Sequence, residues 1–288
     1  MIGLNAALAV VVAMVRTGAR DGTTRHWLPV GVLTAMLIGG CATHQLNDFD
    51  TQLAGLDGEC ATAGGQDGEL AACRQRYEQL ATQALAGARG AGADPLKRLA
   101  FYRVAAIGAF DAGPLGAQTV SATTNEGSKL CNELPKRDAS APRDCAIVRL
   151  AYPLAASVDL ARTLTELIAK RDELRRASPG AQLPAADLPG VLKLYEWFQT
   201  EFDNVSWVRT KLTDAGISGQ IPAAVDDQRR AIYCWAVKAY GLAFDVEGTT
   251  HASLAQLTTR RTALRRRAED SLGPIDCQTT PATIALPK

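Results

Sequence analysis

Six cysteines, Cys60, Cys73, Cys131, Cys145, Cys234 and Cys277, follow Cys41 in this chain of 288 residues, and the way they are satisfied limits the folds open to it. Metal binding fits them poorly. No C-x-x-C occurs, and only His44 and His251 lie beyond Cys41 to complete a ligand set. An even number of cysteines in an exported chain reads as disulfides instead. The simplest connectivity joins sequence neighbours, Cys60–Cys73, Cys131–Cys145 and Cys234–Cys277. Each such pair brackets an expected helix–loop–helix corner, and short loops close at the least entropic cost. In the chain-entropy model each bond would staple its corner by roughly 3 kcal/mol. A long-range bond such as Cys131–Cys234 would weld together parts that the local pattern leaves unlinked.

Export is read from the first 40 residues. Trp27 to Ile38 are almost all apolar, and Arg16, Arg20, Arg25 and His26 precede them with only Asp21 opposed. That is the charged region and the apolar region of a signal peptide, too short to span a bilayer stably as a mature helix. Gly39 and Gly40 are the small residues a signal peptidase needs beside the bond it cuts. The run Ile38-Gly39-Gly40-Cys41, with Leu37 one place early, resembles the lipobox of bacterial lipoproteins. The resemblance implies cleavage before Cys41, acylation of its thiol, and attachment by two or three chains, which is durable where one is marginal. In that family an Asp after the cysteine favours the inner membrane, so Ala42 implies sorting to the outer membrane, on its periplasmic face. Met1 to Val15 is apolar and uncharged, the wrong order for a leader, which places the expected start at Met14.

Removing residues 1–40 takes three arginines and one aspartate from a chain of formal net charge +1, leaving about −1. Nothing in that balance favours nucleic acid. Alanine and leucine abound and no β-type alternation is sustained, so the expected fold is all-α: an irregular helical bundle or short helix-hairpin array of about eight helices, clipped by disulfides. Expected organisation is a lobe over 41–177, a connector over 178–189 holding three prolines, a second lobe over 190–277, and a loose tail over 278–288.

Apolar stripes at steps of three and four place the helices. Leu46, Phe49, Leu53 and Leu56 form the first. Leu70, Cys73, Tyr77, Leu80, Ala84 and Leu85 form the next, after a glycine-rich loop over 58–68. Asp94-Pro95 reads as a cap and first helical residue. The helix it opens alternates bulky residues, Phe101 and Tyr102, with a small face of Ala105, Ala106, Gly108 and Ala109. In this, residues 96–134 resemble one tetratricopeptide unit, which implies close helix packing; no second copy occurs at a spacing of about 34 residues. Beyond the polar loop 135–144, a long helical stretch to Ala177 should kink or split at Pro153. The charges of its second half, Arg162 to Arg176, interleave in sign as on a solvated face. Further helices are expected over 188–212, from Pro222 through Phe244, and from His251 to Leu272.

Candidate binding residues lie on the last helices. At about 100° per residue Trp197 and Glu201 stand side by side at the edge of an apolar stripe, and Trp207 is also off its centre. An aromatic beside a carboxylate could hold a cation or a sugar, and Trp is enriched at interface hot spots. The competing reading is a helix buried on two sides with Glu201 in a salt bridge. Arg260, Arg261 and Arg265, with Arg266 and Arg267, could meet lipid A phosphates or peptidoglycan carboxylates, or be solvated and paired with Glu269 and Asp270.

Catalytic signals are sparse. There is no G-x-S-x-G, H-E-x-x-H or glycine-rich phosphate loop, and no metal or cofactor is called for. His251 has no obvious partner, and paired cysteines leave no free thiol. The expected function is therefore a membrane-anchored, non-catalytic helical scaffold that binds an envelope protein or peptidoglycan. The alternative is a cell-wall hydrolase using Glu201, near Glu196 and Asp203.

Overall fold

A computed structural model of the protein describes residues 46–61, 67–134, 140–279 and 283–287. The chain divides into two units, Met1–Ala42 and Thr43–Lys288, and the described residues all belong to the second. The leader, the Met14 start and the lipidation site Cys41 lie outside the described residues, as does His44.

Among the described residues the second unit is all helical, with no strand. Its eight helices are α1 (46–60), α2 (Asp67–Gly90), α3 (Pro95–Asp111), α4 (Ala117–Glu133), α5 (Ala141–Ala177), α6 (Leu188–Asp214), α7 (Gln220–Ala243) and α8 (Ala255–Leu272). From α2 onward each helix packs on the next, and α5 also packs on α3 and α7. The fold is thus an irregular helix-hairpin array.

The stripes of the sequence become its core. Phe49, Leu53 and Leu56 of α1 are buried, and Phe49 meets Phe101 of α3 edge-on at 5.9 Å. Cys73, Tyr77, Leu80, Ala84 and Leu85 of α2 are buried, whereas Leu70, expected on that face, is exposed in the first turn. Asp94 caps α3 by accepting from the amides of Leu96 and Lys97. A Cβ on Gly108 of α3 would lie 3.2 Å from the Tyr77 carbonyl, so the small-residue face does bring α2 and α3 into close approach. On α4, Gly127 leaves room for Val148 of α5, whose Cγ1 would lie 2.6 Å from an added Cβ.

The three disulfides are the sequence-neighbour pairs Cys60–Cys73, Cys131–Cys145 and Cys234–Cys277. None crosses 178–189. Even so, α5 before this connector packs on α6 beyond it, and their buried side chains join one continuous core. The connector is itself pinned: Leu183, fully buried, exchanges backbone hydrogen bonds with Asp245 and Glu247 after α7. Arg171 and Arg175 of α5 both bind Asp245, so part of the face expected to be solvated is an ion-paired seam.

Several helix bounds differ from expectation: α1 runs to residue 60 and α2 begins at Asp67, both inside the loop expected over 58–68, and α5 begins at Ala141, inside the loop expected over 135–144. Pro153 does not split α5, which runs for 37 residues. Ile147, Leu150, Leu154 and Leu164 are buried on both sides of the proline, and that packing offsets the lost backbone hydrogen bond. The last helix begins at Ala255, not His251. Before it, residues 251–254 form a turn in which Thr250 and Ser253 satisfy each other's backbone amides through their hydroxyls, as in a capping box.

Candidate functional site

Helix α6 is the platform of the C-terminal half. Val191, Leu194, Tyr195, Phe198, Phe202, Val205, Val208 and Leu212 are buried along it. Its neighbours are registered on it by polar contacts at both ends. Arg149 of α5 lies over Trp207 while Lys170 of α5 pairs with Asp187 before α6, so α5 and α6 run antiparallel. Arg209 pairs with Asp226 and Tyr195 meets Tyr240, so α6 and α7 are antiparallel too. Helix α8 then runs parallel to α6: Arg260 pairs with Glu196, and Arg267 lies 3.3 Å from Asp203, both pairs seven residues apart along their helices.

The candidate residues of this helix do not converge. Trp197 and Trp207 are 45 % and 48 % exposed. They stand about 15 Å apart along the axis, at 1.5 Å per residue. Trp197 has the Lys193 ammonium 4.7 Å from its ring centre and faces solvent. Glu201, one turn away, is only 8 % exposed and occupies a place in the buried row Leu194, Val205, Val208, Leu212. Burial pushes its carboxyl upward, opposed by a hydrogen bond from the Asn204 amide at 2.9 Å. It has no ion pair among the described residues, so the expected salt bridge does not form. The reason is angular: Glu201 sits roughly 150° around the helix from the Glu196–Asp203 row that the α8 arginines meet.

The arginines of α8 are largely matched by the protein's own groups. Arg260 takes Glu196, Arg265 takes Glu269 at 2.8 Å, and Arg266 lies 3.8 Å from Asp270. Arg261 stacks on Tyr240, its guanidinium 4.5 Å from the ring centre. Beside it the Tyr195 hydroxyl is buried without a hydrogen-bond partner, and burial raises its pKa to about 12. His251 packs on Phe244 at 4.9 Å, on the surface, and makes no ion pair among the described residues.

The arrangement that offers a site is elsewhere. A cleft of about 470 Å³ lies between the Cys131–Cys145 corner and the last two turns of α6. Its apolar walls include Leu134, Pro142, Val208 and Leu212; Asn132, Arg149, Lys211 and Asp214 supply its polar groups. The Arg149 guanidinium donates from Nη2 to Asn132 Oδ1 at 2.8 Å, while its Nε is buried with no acceptor. The Trp207 ring covers it at 5.1 Å, and burial lowers its pKa. Lys211 lies 5.7 Å from the same ring and 3.9 Å from Asp214. Chemically this is a half-buried guanidinium close to an aromatic ring, beside apolar walls.

Trp207 does not itself line the cleft but lies over Arg149, which does and which was not anticipated as a candidate. The available signal was that Arg149 is the one charge in the otherwise apolar run from Cys145 to Ala156. A charge there must be paired, snorkelled or functional. Among the described residues no group of three or more His, Cys, Asp or Glu could hold a metal ion, and no helix is long and apolar enough to cross a membrane. No protein-family model matches this chain, and no curated protein or solved structure matches it either.

Proposed function

We propose that this protein is an envelope lipoprotein, acylated at Cys41 and held on the periplasmic face of the outer membrane, whose helical domain is a non-catalytic binding module for an envelope protein or cell-wall polymer. The observation that carries the binding role is the Arg149 cleft, which presents recognition groups but no histidine, hydroxyl or free thiol among its lining. Three disulfides in one helical domain favour an oxidising compartment, in keeping with the leader. The test of the role is a pull-down from envelope extract, in which recovery of no protein or peptidoglycan above an unanchored control counts against it. The address is tested by Cys41→Ser, expected to leave an uncleaved or soluble precursor without acyl label. Wild-type processing and fractionation of that variant would refute the lipoprotein reading.

One observation favours the hydrolase alternative: a buried carboxyl raised in pKa, as at Glu201, is what a general acid needs. Against it, Glu201 lines neither this cleft nor those at 57–111, 163–190 and 52–83. Purified protein that degrades peptidoglycan, with loss of that activity in Glu201→Gln, would establish the hydrolase and remove the scaffold.

A further inference from the structure

We propose that the cleft beneath the Cys131–Cys145 corner is a receptor for a peptide carboxylate flanked by a small apolar side chain, with Arg149 as its anchor. This rests on the binding-module reading and names the ligand's chemistry.

Four features of the cleft select that chemistry. First, Arg149 is a half-buried guanidinium that lines the cleft and has no ion pair among the described residues. A charged group so placed lacks a counter-charge, and a carboxylate is the acceptor that engages a guanidinium through two parallel hydrogen bonds. Second, the guanidinium is held ready. The Trp207 ring centre lies 5.1 Å from the guanidinium carbon and Asn132 takes Nη2, so the group is held by two neighbours before a ligand arrives.

Third, the charge balance favours a monoanion. Lys211 is drawn toward Asp214, and that aspartate lines the same cleft. A phosphate dianion would meet its repulsion twice over, whereas one carboxylate exchanges a single charge with Arg149. Fourth, the remainder of the wall is aliphatic, from Leu134, Pro142, Val208 and Leu212. Asn132, whose Oδ1 accepts from Arg149, also lines the cleft, and its amide N–H is the donor suited to the backbone carbonyl next to a terminal carboxylate. The volume, about 470 Å³, falls in the ~300–1,000 Å³ range of small-ligand sites.

The probe is N-acetyl-alanyl-alanine, with its C-terminal amide and inorganic phosphate as controls, titrated into the processed chain in detergent and followed by calorimetry and Trp fluorescence. The acid should bind saturably, and the amide at least about ten-fold more weakly, as befits loss of charge-assisted hydrogen bonds. Phosphate should bind more weakly than the acid. Arg149→Met, which keeps the aliphatic stem, should lose at least about ten-fold in affinity for the acid while its thermal midpoint reports an intact fold. Trp207→Ala, a surface change, should weaken the acid several-fold.

Equal binding of acid and amide, undiminished binding by Arg149→Met, or no saturation by the acid up to about 10 mM would overturn the proposal. A peptidoglycan stem peptide and a linear L-peptide of equal length distinguish the sources of the carboxylate. Arg149-dependent binding of either supports the assignment, and binding of neither refutes it. If the envelope pull-down recovers a partner that Arg149→Met retains in full, the binding module stands and this cleft assignment falls.

Discussion

Arg229 of α7 and Arg149 of α5 are both stacked on an aromatic ring of α6, at 5.4 Å over Phe202 and 5.1 Å over Trp207. Their surroundings differ in every other respect. The Arg229 side chain is 7 % exposed and gives Nη1 to Asp226, Nε to Ser206 and Nη2 to Ser271, so three helices close on one cation. Arg149 has the Asn132 oxygen and an orphaned Nε. The first region has spent its polar groups on its own fold, and the second has left some over. An arginine stacked on a ring is therefore no sign of a site; what sets Arg149 apart is that it lines a cleft and has no ion pair among the described residues.

The comparison can be broken most forcefully at the covalent level. Cys234–Cys277 closes the Arg229 region over 43 residues and Cys131–Cys145 closes the cleft over 14. Loss of the pair should cost about 4 kcal/mol for the first and about 3 kcal/mol for the second in the chain-entropy model. Denaturant unfolding of Cys234→Ala/Cys277→Ala and Cys131→Ala/Cys145→Ala measures both. The reverse order would mean that native packing, not loop length, decides.

Arg229→Met comes next. It leaves Ser206 and Ser271 without a donor and Asp226 with Arg209 alone, at an expected cost of about 2–4 kcal/mol, since a buried pair is broken on one side. Thermal unfolding should fall by roughly 5–15 °C for a domain of this size.

A smaller effect follows from the buried Glu201. Its folded-state pKa lies above the ordinary carboxylate value, so the folded chain holds this proton more tightly than the unfolded chain. Its contribution to stability is full below the ordinary carboxylate range and is lost as pH rises through the shifted pKa. Glu201→Gln should accordingly raise the thermal midpoint at pH 7 and lose that advantage at pH 4. An advantage that grows on acidification contradicts the assignment.

Smallest is Arg149→Met, expected to shift stability by no more than about 0.5 kcal/mol in either direction, because few of its own bonds are lost and its desolvation is relieved. A loss equal to that of Arg229→Met would dissolve the contrast and make Arg149 structural.

What could be read without coordinates was what depends on neighbours along the chain. Periods of three and four placed the helices, Asp94-Pro95 opened α3, and the spacing of cysteines named all three disulfides, since both helix faces and short loops are local properties. The tertiary structure decided whatever depends on residues far apart. Packing on both sides carried α5 through Pro153, and the 64-residue register of α6 against α8 gave Glu196 and Asp203, not Glu201, to the arginines. The cleft itself joins Asn132, Arg149 and Lys211 from three helices. No periodicity relates them, because a site assembled across helices is specified by packing geometry and by which donors that packing leaves unsatisfied.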